Sequence, residues 1–199
     1  ADSDRIIVAI FGDVAASGGY YVAAAADYII AQPTTVTGSI GVMVSSLNFR
    51  QLGQKLGIED VTIKSGTNKD ILNPLRDLTT EQRALLQEIV DSLHRRFVHL
   101  VAEGRSEHLT EAQVAKLADG SVYSADRALE YGLVDQIGYW DDAQAKTAEL
   151  LGEDNVKVLR YEEEFSFSSF LRAFQPVHFS ARSLYPTPET RFQYLWQAF

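Results

Sequence analysis

One serine is the residue whose position in this sequence is most suggestive of chemistry. Ser17 stands in the run Ala15-Ala-Ser-Gly-Gly-Tyr-Tyr21, after the apolar segment 5–11 and before a good helix-forming stretch. A serine there points its hydroxyl at the free amides of the helix's first turn, which can hold an oxyanion, and the two glycines leave room for a peptide carbonyl. The commoner role of a serine in such a place is to cap the helix, so the motif alone supports both readings.

A nucleophilic serine needs a general base, and histidine is the usual one. No histidine lies between Ser17 and Leu93, and the placements of the four histidines are typical of structural or solvated side chains. A Ser-His-Asp triad is therefore not expected. The four residues are His94, His99, His108 and His178.

Lysine is the alternative base, provided that burial lowers its pKa and so favours the neutral amine. Lys64 and Lys69 lie in the segment 63–71, where a predicted strand passes into a polar loop. Either lysine could serve, and either could be a surface charge. The spacing does not choose between them.

Composition limits the remaining possibilities. The chain has 199 residues, a formal net charge of −9 and no cysteine. The negative charge and the lack of a basic cluster argue against a nucleic-acid partner, and the missing cysteines exclude disulfides, thiolate catalysis and cysteine-based zinc sites. No cofactor is indicated, and no apolar run is long enough for a membrane span or a signal peptide.

Strands that alternate with helices predict an α/β fold with βαβ crossovers over residues 1–160. Capping boxes begin at Thr79 and Thr110, and Ser124 and Asn48 are further N-cap candidates. The predicted strands are 5–11, 28–31, a short one within 35–46, 61–64, 133–137 and 156–160; the predicted helices are 18–26, 49–56, 79–103, 111–118, one after Ser124 and 141–151.

The C-terminal extension, 161–199, differs in kind because it is rich in aromatic residues. Its residues Phe167, Phe170, Leu171 and Phe174 predict a short amphipathic helix. We expect this helix to pack on protein rather than on a membrane, since the acidic run Glu162–Glu164 would be repelled by anionic lipid.

Several motifs together resemble signal peptide peptidase A, a family of bacterial serine peptidases with the Clp-protease/crotonase type of fold. The resemblance covers about residues 5–150 in the same order. It rests on Gly12-Asp-Val-Ala-Ala-Ser-Gly-Gly-Tyr-Tyr21, Thr37-Gly-Ser-Ile-Gly-Val42, Ser65-Gly-Thr-Asn-Lys-Asp-Ile71, Asp119-Gly-Ser-Val-Tyr-Ser124 and Leu129-Glu-Tyr-Gly-Leu-Val-Asp-Gln-Ile-Gly138.

The resemblance implies that Ser17 is the nucleophile, that Lys69 is the general base and that Lys64 is a bystander. It also implies that Gly18 donates its amide to the oxyanion and that Ser39 orients the lysine. From the family we also expect membrane-associated cleavage of leftover signal peptides, a catalytic domain on the extracytoplasmic side, and assembly of the subunits into a ring. In such a ring, catalytic groups can come from different copies.

One element of the family pattern has no counterpart in this sequence. Family members carry an upstream segment with a membrane anchor and an Asn-Ser-Pro-Gly-Gly-like turn, whose glycine amide completes the oxyanion hole. We therefore expect this chain to supply only half of the oxyanion hole. Two alternatives stay open: a crotonase-like enzyme acting on acyl-CoA, and an inactive scaffold that keeps the peptidase fold.

Overall fold

The computed structural model describes residues 5–159 and 161. The described chain as far as Val156 belongs to one compact unit, while residues 157–159 and 161 belong to a second unit and form no helix or strand. The strands are β1 (Val8–Phe11), β2 (Val14–Ala16), β3 (Tyr28–Ala31), β4 (Val36–Gly38), β5 (Val122–Ser124) and β6 (Gln136–Ile137). The helices are α1 (Gly18–Ala23), α2 (Arg50–Lys55), α3 (Thr80–Gly104), α4 (Glu111–Leu117), α5 (Ala125–Glu130) and α6 (Trp140–Leu151).

The described strands form two three-stranded sheets. In the first, the order is β1-β3-β6 and both pairings are parallel. In the second, the order is β2-β4-β5, with β2 parallel and β5 antiparallel to the central strand. The predicted α/β class with parallel strands is thus confirmed. Because Ala16 pairs with Gly38 at the ends of β2 and β4, the residues that follow these two strands are neighbours.

Helix α1 is held between the sheets and the long helix α3. Tyr20 of α1 and Phe97 and Val101 of α3 are fully buried in one apolar cluster with residues of β3. The two helices approach closely at Gly104, where an added Cβ would lie 1.7 Å from the carbonyl oxygen of Ala24. A side chain at position 104 would push α3 away from the end of α1, so glycine fixes the position of the helix that begins after Ser17.

The helix starts agree with the capping signals in the sequence. Thr79 and Thr110 each form a complete capping box, with Gln82 and Gln113 respectively, at the starts of α3 and α4. The Ser124 side chain accepts from the Arg127 amide at the start of α5. These contacts satisfy amides that the first helical turn leaves without a partner.

Other expectations about the elements are wrong. The apolar segment before Ser17 is not one strand: β1 begins only at Val8, and a separate strand, β2, leads into the serine. Helix α1 ends at Ala23 rather than at residue 26. Asn48 is not the N-cap of α2, since Phe49 holds that position. The Asn48 side chain nevertheless accepts a hydrogen bond from the Arg50 amide.

Residues 61–64 and the described part of 156–160 form no strand, because neither segment has a partner strand among the described residues. Apolar alternation alone does not supply the neighbouring backbone that a strand requires. The predicted amphipathic helix at 167–174 lies outside the described residues. No helix in the described part of the chain has the length and apolarity needed to cross a bilayer.

Candidate active site

Ser17 occupies a strained backbone turn between β2 and α1. Its φ of 51° and ψ of −112° lie in a region that favours glycine. The turn is held on both sides by hydrogen bonds of 2.8 Å: the Ser17 amide donates to the Gly38 carbonyl, and the Ser17 carbonyl accepts from the Tyr21 amide. Such strain persists only where the surroundings fix the backbone, and it is concentrated at functional sites.

The Ser17 side chain does not cap the helix. The residue holds the N-cap position of α1, but its hydroxyl makes no capping hydrogen bond, so the capping role considered from the sequence is wrong. The residue is only 3% exposed. The hydroxyl has no hydrogen-bond partner among the described residues, and its Oγ keeps a small area in contact with solvent. The Oγ atom is therefore not occupied by another group of the described chain.

Ser39 is a backbone neighbour of Ser17 and has the same φ angle. It follows Gly38 at the end of β4, and its φ is also 51°. These two serines are the only residues other than glycine with positive φ in the described chain. The Ser39 amide donates to the Ser121 carbonyl at 2.7 Å. The structure thus brings two of the predicted site residues together at one edge of the second sheet.

Gly18 is the first residue of α1 and directly follows the strained turn. It is half-buried, and its amide belongs to the first turn, where no carbonyl within the helix can accept it. Gly19 is exposed, and a Cβ added there would contact nothing within 4 Å. The approach to the Gly18 amide is accordingly open on the side of its neighbour.

Lys64 and Lys69 have different environments in the connection between α2 and α3, whose part around Lys69 we call the lysine loop. The Lys64 ammonium donates to an Asp70 carboxylate oxygen at 2.6 Å and to the Thr67 carbonyl at 3.1 Å. Lys69 is exposed, and its ammonium has no hydrogen bond or ion pair with any residue that the structure describes, Ser17 and Ser39 included. Of the two lysines, Lys69 is the one whose side chain is available for another role.

An ion-pair network orders the chain around Lys69. Asp70 accepts from both Lys64 and Arg76, and Arg76 also pairs with Asp60 at 2.5 Å. The hydrogen bond from Lys64 lowers the pKa of Asp70, and that from Thr62 is the main cause that lowers the pKa of Asp60. Both carboxylates remain ionised near neutral pH, which keeps the network intact.

The described histidines take part in other contacts. His94 bonds to the Ala118 carbonyl at 2.7 Å, His99 lies 3.9 Å from Glu111, and His108 lies 2.9 Å from Asp135. None of these three bonds to Ser17, and His178 lies outside the described residues. Within the described chain, the expectation that no histidine forms a triad with Ser17 agrees with the structure.

A polar network, most of it buried, contacts α1 through Tyr20. The Tyr20 hydroxyl donates to the Leu133 carbonyl at 2.8 Å, and Arg105, only 2% exposed, donates to both carboxylate oxygens of Asp135. Burial of Asp135 favours its neutral acid, but the hydrogen bonds from Arg105 and from the Ile29 amide outweigh burial and lower its pKa. The motif Gly132-Leu-Val-Asp135 supplies three partners of this network: the Gly132 carbonyl accepts from Arg105, the Leu133 carbonyl accepts from Tyr20, and the Asp135 carboxylate pairs with Arg105.

Comparison with known proteins finds sequences similar to this chain. The family described as Peptidase family S49 matches residues 1–154. A putative signal peptide peptidase SppA of Enterococcus faecium is 47% identical over 140 residues, which cover 70% of this chain and 40% of that protein. Protease 4 of Salmonella typhi is 35% identical over 144 residues, which cover 72% of this chain and 23% of that protein. The chain therefore corresponds to less than half of either relative.

Among solved structures, an enoyl-CoA hydratase/isomerase from Marinobacter aquaeolei matches with a TM-score of 0.39 and 17% sequence identity. The match covers 75% of this chain and 38% of that one.

Proposed function

The chain belongs to peptidase family S49, and we propose that it is the catalytic part of a serine endopeptidase in which Ser17 is the nucleophile and Lys69 the general base. The substrates we propose are extended apolar peptides, such as the signal peptides left after protein export.

The observation that carries this proposal is the conformation of Ser17. A serine that only capped a helix would keep relaxed backbone angles and turn its hydroxyl to the helix amides. Ser17 instead has a strained backbone, no capping bond and a hydroxyl at the surface of an otherwise buried residue. A nucleophile between a strand and a helix needs this combination, because it must be held rigidly and yet reach the substrate.

The proposed reaction is acyl transfer in two steps. Neutral Lys69 takes the hydroxyl proton of Ser17 while Oγ attacks the peptide carbonyl carbon, and the Gly18 amide stabilises the oxyanion. The C–N bond then breaks, protonated Lys69 gives its proton to the departing amine, and an acyl-enzyme on Ser17 remains. Water, deprotonated by Lys69, attacks the ester carbonyl carbon. The bond between that carbon and Ser17 Oγ then breaks, the lysine returns the proton to Oγ, and the acyl part of the peptide leaves as a carboxylic acid.

We propose that Ser39 orients the lysine. Its place beside Ser17, set by the pairing of β2 with β4, would let its hydroxyl accept a hydrogen bond from the Lys69 amine while that amine faces the nucleophile. The strained φ of Ser39 fits such a fixed role.

Lys69 is exposed in the single chain, whereas a lysine base works best in a site that excludes water. We therefore propose that the working enzyme is an assembly of copies of this chain, in which a neighbouring copy covers the lysine loop. Catalytic groups of one site would then come from two copies.

An apolar surface near the lysine loop fits this assembly. It consists of exposed apolar side chains of α2 and of the residues on either side of that helix, between positions 49 and 63, and we call it the α2 ridge. Leu56 is 66% exposed, Val61 85% and Ile63 99%, which is unusual for apolar side chains in a folded chain. The α2 ridge comprises Phe49, Leu52, Leu56, Ile58, Val61 and Ile63. A second copy that covered it would bury these side chains and approach Lys69, six residues after Ile63.

We propose that a part of the protein outside this chain attaches it to a bacterial membrane, with the catalytic part on the extracytoplasmic side. The relatives named as SppA and protease 4 are much longer than this chain, which leaves room for such a part.

The proposal is tested by hydrolysis of an apolar fluorogenic peptide. Ser17→Ala and Lys69→Ala should each abolish hydrolysis while the far-ultraviolet circular dichroism and the melting temperature stay close to those of the parent chain. Lys64→Ala is the matched control, since it removes a nearby lysine from the same connection between α2 and α3. It should retain most of the activity, because Arg76 still holds Asp70 when Lys64 is absent.

Equal losses at Lys64 and Lys69 in well-folded variants would show that the loop as a whole, not the Lys69 amine, is needed. Assembly is tested on the same samples by light scattering. Ile63→Glu should yield a smaller species and a large loss of hydrolysis together. A monomeric variant with full activity would rule out a site shared between copies.

A further inference from the structure

We infer that Tyr123 is a positioning residue for the Ser17 nucleophile, acting through Gly38. This inference rests on the proposed function of Ser17, and it assigns a role to a residue of β5 that touches neither substrate nor nucleophile.

The Tyr123 ring lies against the backbone of Gly38. A Cβ added to Gly38 would stand 2.6 Å from Cδ2 of the Tyr123 ring and 3.1 Å from Cε2, so the ring occupies the space that any other side chain at position 38 would need. The φ of Gly38 is +82°, a conformation that glycine adopts freely and other residues do not. Ring and glycine therefore fit each other.

Gly38 in turn fixes the backbone of the nucleophile. Its carbonyl accepts the Ser17 amide at 2.8 Å, the hydrogen bond that joins the strained turn to the second sheet. On the other side, the Ser121 carbonyl accepts the Ser39 amide at 2.7 Å. The segment 121–123 thus contacts both strained serines through the end of β4.

Tyr123 is itself held in place by two contacts away from Gly38. Its hydroxyl donates to the Leu117 carbonyl at 3.0 Å, and its ring packs edge to face on Tyr131, with 5.4 Å between ring centroids. The hydroxyl is bonded to Leu117, so the ring is the part of Tyr123 that acts with the strand pairing of Gly38 to hold the Gly38 carbonyl towards Ser17. Phenylalanine can replace this ring, whereas a smaller aliphatic side chain cannot.

Loss of the ring leaves space beside a glycine that has many alternative conformations. The Gly38 carbonyl can then turn away from the Ser17 amide. The strained turn keeps only its hydrogen bond from the Tyr21 amide, so it can relax towards ordinary backbone angles. The Ser17 hydroxyl would move relative to the Gly18 amide. A displacement of about 1 Å at a reacting group can reduce a rate by about 100-fold.

The experiment compares Tyr123→Leu, Tyr123→Phe and Val114→Ala with the parent chain. Val114 is a fully buried core residue of α4, and it provides a control for loss of stability alone. A fluorophosphonate probe measures the reactivity of Ser17, and peptide hydrolysis gives kcat and KM. Amide hydrogen exchange at Ser17, with Ile30 of β3 as reference, reports the hydrogen bond to Gly38 without any chemistry.

We expect Tyr123→Leu to slow probe labelling and to lower kcat by about 10- to 100-fold, with KM nearly unchanged. Its Ser17 amide should exchange faster while the Ile30 amide does not. Tyr123→Phe should stay within about twofold of the parent rate, and Val114→Ala should lower the melting temperature without slowing the labelling. If Tyr123→Leu does not fold, Tyr123→Met takes its place, because the unbranched Met side chain has about the same volume as leucine and adapts more easily to the space beside Gly38.

Parent-like labelling by Tyr123→Leu would overturn the inference. Labelling of Tyr123→Phe as slow as that of Tyr123→Leu would also overturn the inference. The same holds if labelling of Val114→Ala is slowed in proportion to its loss of stability. A parent chain that the probe does not label refutes the proposed nucleophile instead. In that case Ser17 exchange in the Leu variant decides the positioning role by itself, and unchanged protection overturns it.

Discussion

The strain at Ser17 predicts an unusual response to glycine. Replacing alanine by glycine at a buried strand position ordinarily destabilises a protein by about 1–2 kcal/mol, through backbone entropy and the lost methyl. At position 17, glycine also relieves unfavourable backbone angles, which are worth about 1–3 kcal/mol. Ser17→Gly should therefore be about as stable as Ser17→Ala, or more stable, although neither variant has a hydroxyl.

Ala16 offers the matched comparison. It directly precedes Ser17 at the end of β2, is 9% exposed and has no positive φ. Ala16→Gly should show the ordinary loss of stability. The difference between the two alanine-to-glycine exchanges isolates the strain, and we expect it to be about 1–3 kcal/mol, or about 2–12 °C in melting temperature for a chain of this size.

Thermal and denaturant unfolding of Ser17→Ala, Ser17→Gly, Ala16→Gly and the parent chain measure these quantities. The hydrolysis assay should find both Ser17 variants inactive. Equal losses on introducing glycine at positions 16 and 17 would refute the reasoning, because the turn would then store no strain for the nucleophile to use.

Three further predictions concern the structure that supports the site. Arg105→Met should lower the free energy of unfolding by about 3–5 kcal/mol, since it leaves the buried Asp135 carboxylate without its main partner. His108→Gln, which changes the exposed side of the same carboxylate, should lower it by less than about 1 kcal/mol. Denaturant titrations measure both values. The pKa of Asp135 is lowered in the folded chain, so its ionised carboxylate stabilises the fold. This stabilisation is complete above the pKa of an unfolded aspartate, about 3.9, and is lost as the pH falls through the folded pKa. In Arg105→Met, acid unfolding curves should lose much of this dependence on pH. Thr79→Ala should cost about 1 kcal/mol by loss of the α3 capping box, measured by thermal unfolding.

Much of the fold follows from local signals in the sequence. The capping boxes at Thr79 and Thr110 located α3 and α4, because a capping box depends only on residues three apart. The sequence predicts the strand 28–31 with its observed bounds, since Ile29, Ile30 and Ala31 are all buried. The strand predicted at 61–64 shows the limit of such signals, because a strand needs a partner that no local pattern reveals.

The site was predictable only in part for the same reason. Ser17 and Lys69 stood out by their motifs, but the strained φ of Ser17 and its missing cap depend on the Gly38 carbonyl, 21 residues away in sequence. The ion pair that occupies Lys64 depends on Asp70, and nothing in the spacing of the two lysines indicates which of them Asp70 binds. Pairings of this kind arise only when the chain folds.

The central claim is that Ser17 is a nucleophile activated by Lys69, and the most direct test is the rate of fluorophosphonate labelling as a function of pH, with the adduct located by mass spectrometry. We predict one adduct on Ser17, a rate that falls steadily from about pH 9 to about pH 5 as the lysine base is protonated, little labelling in Lys69→Ala and near-parent labelling in Lys64→Ala. An adduct on another residue, or a Lys69→Ala variant labelled at the parent rate across that range, would contradict the claim.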